Sequence, residues 1–300
     1  MSMSPQEFTS RRISKRTTEF NMLVIGENGT GKKSFINTLC EQTVFESSIS
    51  EPSDSYIGFS NREVMMVKHS PIRLNVYLTK NFRYNLNNDT NNEEIMKFLV
   101  SRFETKLVEE SKTTRTKQDN LIHLVVFLME PRGKKLKNSD ISLIRSIQKY
   151  ANVMVIITKG DLMTEDDKKV QKQLINSSIE ENGLKTYDFS LYEEDPDTLK
   201  YLTYLQHKQP FTVINSNNCS LHTASSSHNT TSSSHNTASS SHNTASSSYQ
   251  MRTTNFNIDI AKHSDFSLLR DIIFEMNLSE FKDVTNNYIY ERFRTEKLTN

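Results

Sequence analysis

Residues 20–39 read FNMLVIGENGTGKKSFINTL: an apolar run, a glycine-rich turn and the start of a helix. Phe20, Met22, Leu23, Val24 and Ile25 are nearly continuous in hydrophobicity, the pattern of a parallel strand covered on both faces. Gly26, Glu27, Asn28, Gly29, Thr30 and Gly31 follow. Glycine there lets the backbone bend toward a polyphosphate, with its N–H groups and the next helix N-terminus facing the anion. Lys32 stands where a phosphate-binding ammonium belongs. An accidental glycine turn ahead of a helix is the alternative, and the strand before and helix after favour the phosphate site. The pattern then wants a hydroxyl to ligate Mg²⁺, but Lys33 stands there and Ser34 comes one residue late. An ammonium carries only donors and cannot hold a metal.

A chain of 300 residues admits one large domain or two small ones, and 35% hydrophobic residues suffice for a sizeable core. Net charge is +1, so no overall field draws the chain to nucleic acid, and no nucleic-acid partner is expected. Cys40 and Cys219 show neither metal nor redox spacing, which fits a reducing compartment. No apolar run approaches the roughly 18 residues of a membrane span, and the first residues lack the apolar stretch of a secretion signal. A cytoplasmic address is therefore expected. Arg11, Arg12, Lys15 and Arg16 make residues 1–19 a basic arm. It reads equally as a solvated tail or as a contact for anionic lipid headgroups, at roughly 1 kcal/mol per basic residue.

Further along, residues 41–61 read as a loop in the place of a nucleotide switch, and strands are predicted at 62–68 and 72–79 on either side of Pro71. An asparagine-rich loop over 81–92 leads to Ile95, Phe98, Leu99, Phe103 and Leu107 at helical spacing. LIHLVVFLM at 121–129 is a second buried-strand run, ahead of the basic turn RGKKLK, and His123 inside it is read as a satisfied core residue. A short amphipathic helix over 139–150 and a strand over 153–157 follow, ending in Thr158, Lys159, Gly160 and Asp161. Thr164 with Asp167 three residues on forms a helix-capping pair. Residues 184–188, a helix near 198–207 and a strand at 211–214 are predicted to complete the sheet. Residues 223–250 are four copies of a seven-residue unit, TASSSHN, TTSSSHN, TASSSHN and TASSSYQ, too polar to form a packed core. A strand at 256–260 and helices over 266–276 and 278–292 end the pattern. Alternation of strands and helices predicts a mainly parallel sheet, with ligands beyond the carboxyl ends of its strands. The glycine turn after Ile25 and TKGD after Ile157 both lie there.

Several separated stretches resemble septins, guanine-nucleotide-binding proteins that assemble into filaments at membranes. GENGTGKKSFINTL, RFETKLVEES, LIHLVVFLMEPRGKKLKNSDI, NVMVIITKGDLMTEDD, QPFTVINSN and HSDFSLLRDIIFEMNLSEFKDVTNNYIYERFRTEKL occur in septin order. The resemblance implies an α/β fold of the P-loop GTPase type, doubly wound, with a mainly parallel sheet, helices on both faces and a C-terminal helical extension. It divides the chain into the arm (1–19), a G domain (20–215), a low-complexity insert (216–255) and the C-terminal part of the G domain (256–300). It implies GTP or GDP as ligand, with phosphates on Gly26, Glu27, Asn28, Gly29, Thr30, Gly31, Lys32, Lys33 and Ser34, and guanine on Lys159, Asp161 and Asn215. Other septins are the implied partners, in hetero-oligomers or filaments at the cell cortex, bud neck or division site.

Departures from the family pattern concern hydrolysis and assembly. Leu78 stands for the aspartate and Asn81 for the glycine that follow the third strand of a GTPase, Lys33 for the metal-binding hydroxyl, and residues 46–70 hold no threonine. Mg²⁺ thereby loses its expected protein ligands, no catalytic or metal-binding residue is expected, and a structural subunit follows, nucleotide-binding or nucleotide-free, with little or no turnover. An active GTPase switch and a filament-capping regulator are the competing readings. The chain holds no Trp, so it lacks the Tyr-Pro-Trp-Gly turn of septins; Thr253 and Thr254 fall in its place. Lys134 or Lys135 replaces a loop histidine used across the nucleotide-side interface. That interface is expected to be weak or restricted to a particular partner, and the opposite one, of the arm and the last two helices, better kept.

Overall fold

A computed structural model describes residues 17–46, 57–67, 71–83, 88–113, 119–190, 195–214, 248–250, 257–259 and 264–299. Residues 1–16 of the expected basic arm, residues 47–56 of the switch loop, Asn215, and Thr253 and Thr254 lie outside these residues, as does the repeat as far as residue 247.

Six strands form one sheet: β1 (Thr18–Gly26), β2 (Gly58–Val67), β3 (Pro71–Lys80), β4 (Leu124–Met129), β5 (Asn152–Ile157) and β6 (Phe211–Thr212), in spatial order β2-β3-β1-β4-β5-β6. Only the β2–β3 pair is antiparallel. All residues of β4 and β5 are buried, as continuous apolar runs in a parallel sheet require. Alternate residues point to opposite faces. Phe20, Met22 and Val24 therefore join one apolar cluster, with Phe35, Ile36 and Leu39 of α1 (Lys32–Cys40), Leu202 and Leu205 of α5 (Pro196–Lys208), and Leu269 and Phe281 from the C-terminal helices. Leu23 and Ile25 join the other, with Ile95 and Leu99 of α2 (Asn88–Ser111), Ile144 of α3 (Asn138–Ile147) and Ile175 of α4 (Glu165–Glu181). Helices thus cover both faces, in agreement with the predicted fold class.

Several boundaries differ from the expectation, among them that β1 begins at Thr18, inside the predicted arm, and that β6 ends at Thr212, short of the predicted 214. β2 begins at Gly58, inside the predicted loop, because an edge strand can leave Asn61, Arg62 and Glu63 exposed while Val64 and Met66 are buried. α2 begins at Asn88, inside the asparagine-rich loop, since the packing of Ile95 and Leu99 carries the polar first turn with it. Residues 184–188, predicted to complete the sheet, make no strand. Tyr187 N–H donates to Val153 O at 2.8 Å, while its ring packs on Phe189 and Phe281.

The predicted cap is present: Thr164 Oγ1 accepts from Asp167 N–H at 3.2 Å and Asp167 Oδ2 accepts from Thr164 N–H at 3.0 Å. Two helices close the chain, α6 over 266–276 and α7 over 278–299, each with wider π turns, at Ile272–Met276 and Val284–Tyr290. Phe293 and Tyr290 of α7 pack on Phe103 of α2. The last three repeat residues, Ser248–Gln250, pair antiparallel with Asn257–Asp259 in a separate two-stranded sheet, β7 and β8.

His123 is the satisfied core residue expected. Its Nδ1 accepts the Asn21 backbone N–H at 2.9 Å and its Nε2 lies 3.0 Å from Asp119. Burial holds its pKa below the usual histidine value against the pull of Asp119.

Candidate nucleotide site at the carboxyl edge of the sheet

The loop between β1 and α1 is built around its glycines. A Cβ at Gly26 would lie 2.7 Å from Thr30 Oγ1 and 3.1 Å from Leu128 O, so a side chain there would collide with β4. Gly29 and Gly31 have φ of 86° and 83°, in the left-handed region. Gly31 heads α1 without a side-chain cap, so the first N–H groups of the helix have an acceptor to gain. Thr30 Oγ1 closes the loop by donating to Glu27 O at 2.8 Å. Asn28 is exposed at its tip.

Lys32 curls over this loop, its Nζ donating to Gly26 O at 2.6 Å and Glu27 O at 3.0 Å. Burial lowers its pKa to about 8, opposed by the carboxylate of Glu27. A desolvated ammonium held by neutral carbonyls is poised for an anion. Lys33 points elsewhere, its Nζ donating to Glu46 O at 3.1 Å at the start of the switch segment. Ser34 accepts at its backbone carbonyl from Thr38 Oγ1.

The second predicted stretch meets the first. After β5, Thr158 N–H donates to Met129 O at 2.8 Å, and Lys159 takes a left-handed conformation, φ 54°. Its Nζ bonds the Glu130 carboxylate. That carboxylate lies 3.8 Å from where a Gly29 Cβ would be, so Lys159, Glu130 and the phosphate loop are one neighbourhood. Gly160 packs tightly on the next strand: a Cβ would come within 2.9 Å of Thr212 and 3.3 Å of Ile214. Asp161 follows, 3% exposed. Asn215, the third expected guanine contact, is the neighbour of Ile214 but lies outside the described residues.

The end of β3 carries the departures. Leu78 is 3% exposed and belongs to the apolar cluster below the sheet, leaving no carboxylate at that place to order a metal's water shell. Asn81 and Arg83 both have positive φ, 55° and 57°, which a non-glycine residue adopts at some cost. Of the four described non-glycine residues in this region of backbone space, Arg83 and Lys159 border the site through Glu27 and Glu130, and Asn81 shares the turn with Arg83. Phe82 between the first two is buried and anchors the turn.

Sequence reasoning misses a cationic cluster here. Glu27, from the phosphate loop, accepts Arg83 Nη1 at 3.2 Å and Lys137 Nζ at 3.0 Å, and also pairs with Arg132. Burial would raise its pKa, but Lys137, Arg132 and Arg83 together bring it down to about 2. Arg83 pairs in addition with Asp140, which caps α3 by accepting Lys137 N–H at 3.3 Å. The basic turn is pinned from α4 by buried Gln171, which accepts the N–H of Gly133 at 2.6 Å and donates to Lys134 O at 3.0 Å. RGKKLK marks two of these cations in the sequence; Arg83, after β3, has no such signal. Lys135, predicted near an interface, is held by Glu181 of its own chain.

A cavity of about 660 Å³ lies elsewhere, at the start of β5, lined by Asn152, Asn176, Tyr187, Gln206 and Gln209 among others. Its amides bond within the chain, Gln209 to Tyr187 O and Asn176 to Gln209 O, and its charged lining residues, Glu180, Lys185 and Asp188, are of mixed sign.

The strand order, glycine loop and buried lysine define the P-loop α/β class, and the residues fit a nucleotide: a cradle that side chains would fill, a desolvated ammonium, and a buried aspartate beyond a parallel strand. They do not fit Mg²⁺, since Leu78 is apolar and Lys33 is a donor. The Septin family model matches residues 16–300, and the chain belongs to the septin family. It is 27% identical to "Septin CDC11" of Candida albicans over 99% of this chain and 74% of that protein. It is 29% identical to "Cell division control protein 11" of Saccharomyces cerevisiae, over 96% and 68%. The crystal structure of Cdc11 from Saccharomyces cerevisiae superposes with a TM-score of 0.58 at 26% identity, covering 93% of this chain and 99% of that one.

Proposed function

We propose that this chain is a structural septin subunit. It carries GTP or GDP on the Gly26–Ser34 loop and on Lys159, Asp161 and Asn215, turns it over little or not at all, and co-assembles with other septins in the cytoplasm, at the cell cortex or division site. The observation that carries this is Leu78: an apolar side chain sunk into the core beside a preserved glycine and lysine cradle. Without a metal-ordering carboxylate, phosphoryl transfer lacks much of its charge neutralisation, while binding retains its loop and lysine. Relatives named for cell division and septation support the assembly role. The basic arm at Arg11, Arg12, Lys15 and Arg16 is proposed to contact anionic lipid headgroups.

Nucleotide extracted from the purified, denatured chain is expected to be guanine nucleotide near one per chain, with phosphate release from added GTP at background. Turnover abolished by Lys32→Ala would replace this reading with an active switch. Negative-stain images of other septins with and without the chain test assembly: filaments that incorporate it support a subunit, and shortened filaments support a cap.

A further inference from the structure

We infer that Arg83, backed by Arg132 and Lys137, supplies the positive charge that a magnesium ion would otherwise bring to the phosphates, so that nucleotide binding here needs no divalent metal. The inference rests on the nucleotide reading above and concerns how that site is neutralised.

Arg83 ends the turn after β3, five residues beyond Leu78, and reaches the phosphate loop through Glu27 at 3.2 Å. Its side chain is only 7% exposed, yet Nε and Nη2 are buried without a hydrogen-bond partner among the described residues. A buried guanidinium with donors unmade is costly to keep. Arg73, Arg102 and Arg270 also leave Nε buried without a hydrogen-bond partner, but among the described arginines only Arg83 leaves Nη2 so as well. Local charge points the same way: Arg83, Arg132 and Lys137 share two carboxylates, Glu27 and Asp140, which leaves a positive excess among the described residues before Lys32 is counted. The fork of an arginine matches phosphate oxygens, and its charge cannot be lost near neutral pH. The turn that brings this side chain to Glu27 holds Asn81 and Arg83 at positive φ, a conformation that costs a non-glycine residue something. In the nucleotide-free chain Glu27 serves as internal counter-ion to the same cations, occupying them until phosphate arrives.

Binding of GDP and GTP to the nucleotide-stripped full chain, measured by calorimetry in Mg²⁺ and in EDTA, tests this. The expected result is affinities within about threefold of each other in the two buffers. Arg83→Ala is expected to weaken binding by about ten- to a hundredfold in both, with Arg83→Lys recovering part of the loss. Glu27→Gln is expected to tighten it severalfold. Should Arg83→Ala not fold, Arg132→Ala serves: its guanidinium is 29% exposed, and the Arg83 pair with Asp140 is left intact. Loss of binding in EDTA by tenfold or more would overturn the inference alone, as would wild-type affinity in a folded Arg83→Ala or Arg132→Ala. No binding in either buffer would overturn the nucleotide reading with it.

Discussion

At the amino ends of β1, β4 and β5, polar side chains are closed against one another. Asn21 Nδ2 donates to the carbonyls of Asp119 and Leu121, and its Oδ1 accepts from Asn75. Asn152 Nδ2 serves His123 O, Phe281 O and Thr285 Oγ1 at 2.8, 3.0 and 3.1 Å, tying the sheet to α7. At the carboxyl ends, Lys32 is desolvated over neutral carbonyls and three cations crowd one glutamate. At one end the buried amides are paired within the fold, and the other end has charge left over. Buried polar groups that are fully paired make a rigid foundation, and a surplus of one sign marks where a ligand of the other sign belongs.

The contrast is broken most sharply at Lys32. Replacing it with Met is expected to lower guanine-nucleotide affinity on the order of a hundredfold. The stability of the nucleotide-free chain should not fall. Burial has lowered the Lys32 pKa from 10.5 to about 8, so the folded chain holds that proton less tightly than the unfolded one. Below pH 8 this opposes folding by roughly 3 kcal/mol, a penalty relieved as pH rises from 8 toward 10.5. Urea unfolding of stripped protein checks it; a marked loss of stability would make Lys32 part of the foundation.

Asn152→Ala strikes the other end. It leaves two backbone carbonyls without that donor in the core, and the expected cost is about 2–3 kcal/mol with nucleotide affinity unchanged in the folded fraction. Urea midpoints and calorimetry on the same preparation separate the two readouts. A comparable loss of affinity would show the two ends to be coupled.

The smallest effect is in pH. The folded pKa of His123 lies below its ordinary value of 6.5, so as pH falls through that value the unfolded chain takes up a proton that the folded chain refuses. Stability should decline as pH falls from about 6.5. Asp119 and Glu27 add losses below their ordinary values of 3.8 and 4.5, since both are held at about 2 in the folded state. Urea midpoints between pH 7 and 3 follow this, and a flat profile from 6.5 to 5 would remove His123 from the account.

Much of this is legible in residue order. Continuous apolar runs announce β1, β4 and β5; glycine positions announce the phosphate turn; Thr164 and Asp167 announce a helix start, because each depends on neighbours within a few residues. Residues 184–188 look like a strand by the same logic and are not one, since Tyr187 is turned into an aromatic cluster by partners 94 residues away in the chain, at Phe281. Arg83 gives no local sign either. It meets Glu27 at a sequence distance of 56 residues and Lys137 meets Glu27 at 110, which only the strand order brings about.

The order of amino acids alone announced a mainly parallel sheet and its glycine turn, since these follow from hydrophobic period and glycine, whereas Leu78 reads as a departure only against the septin pattern. Folding in three dimensions decided where charge accumulates. Coulombic balance depends on distances across β1, β3 and α3, and no stretch of sequence contains those distances.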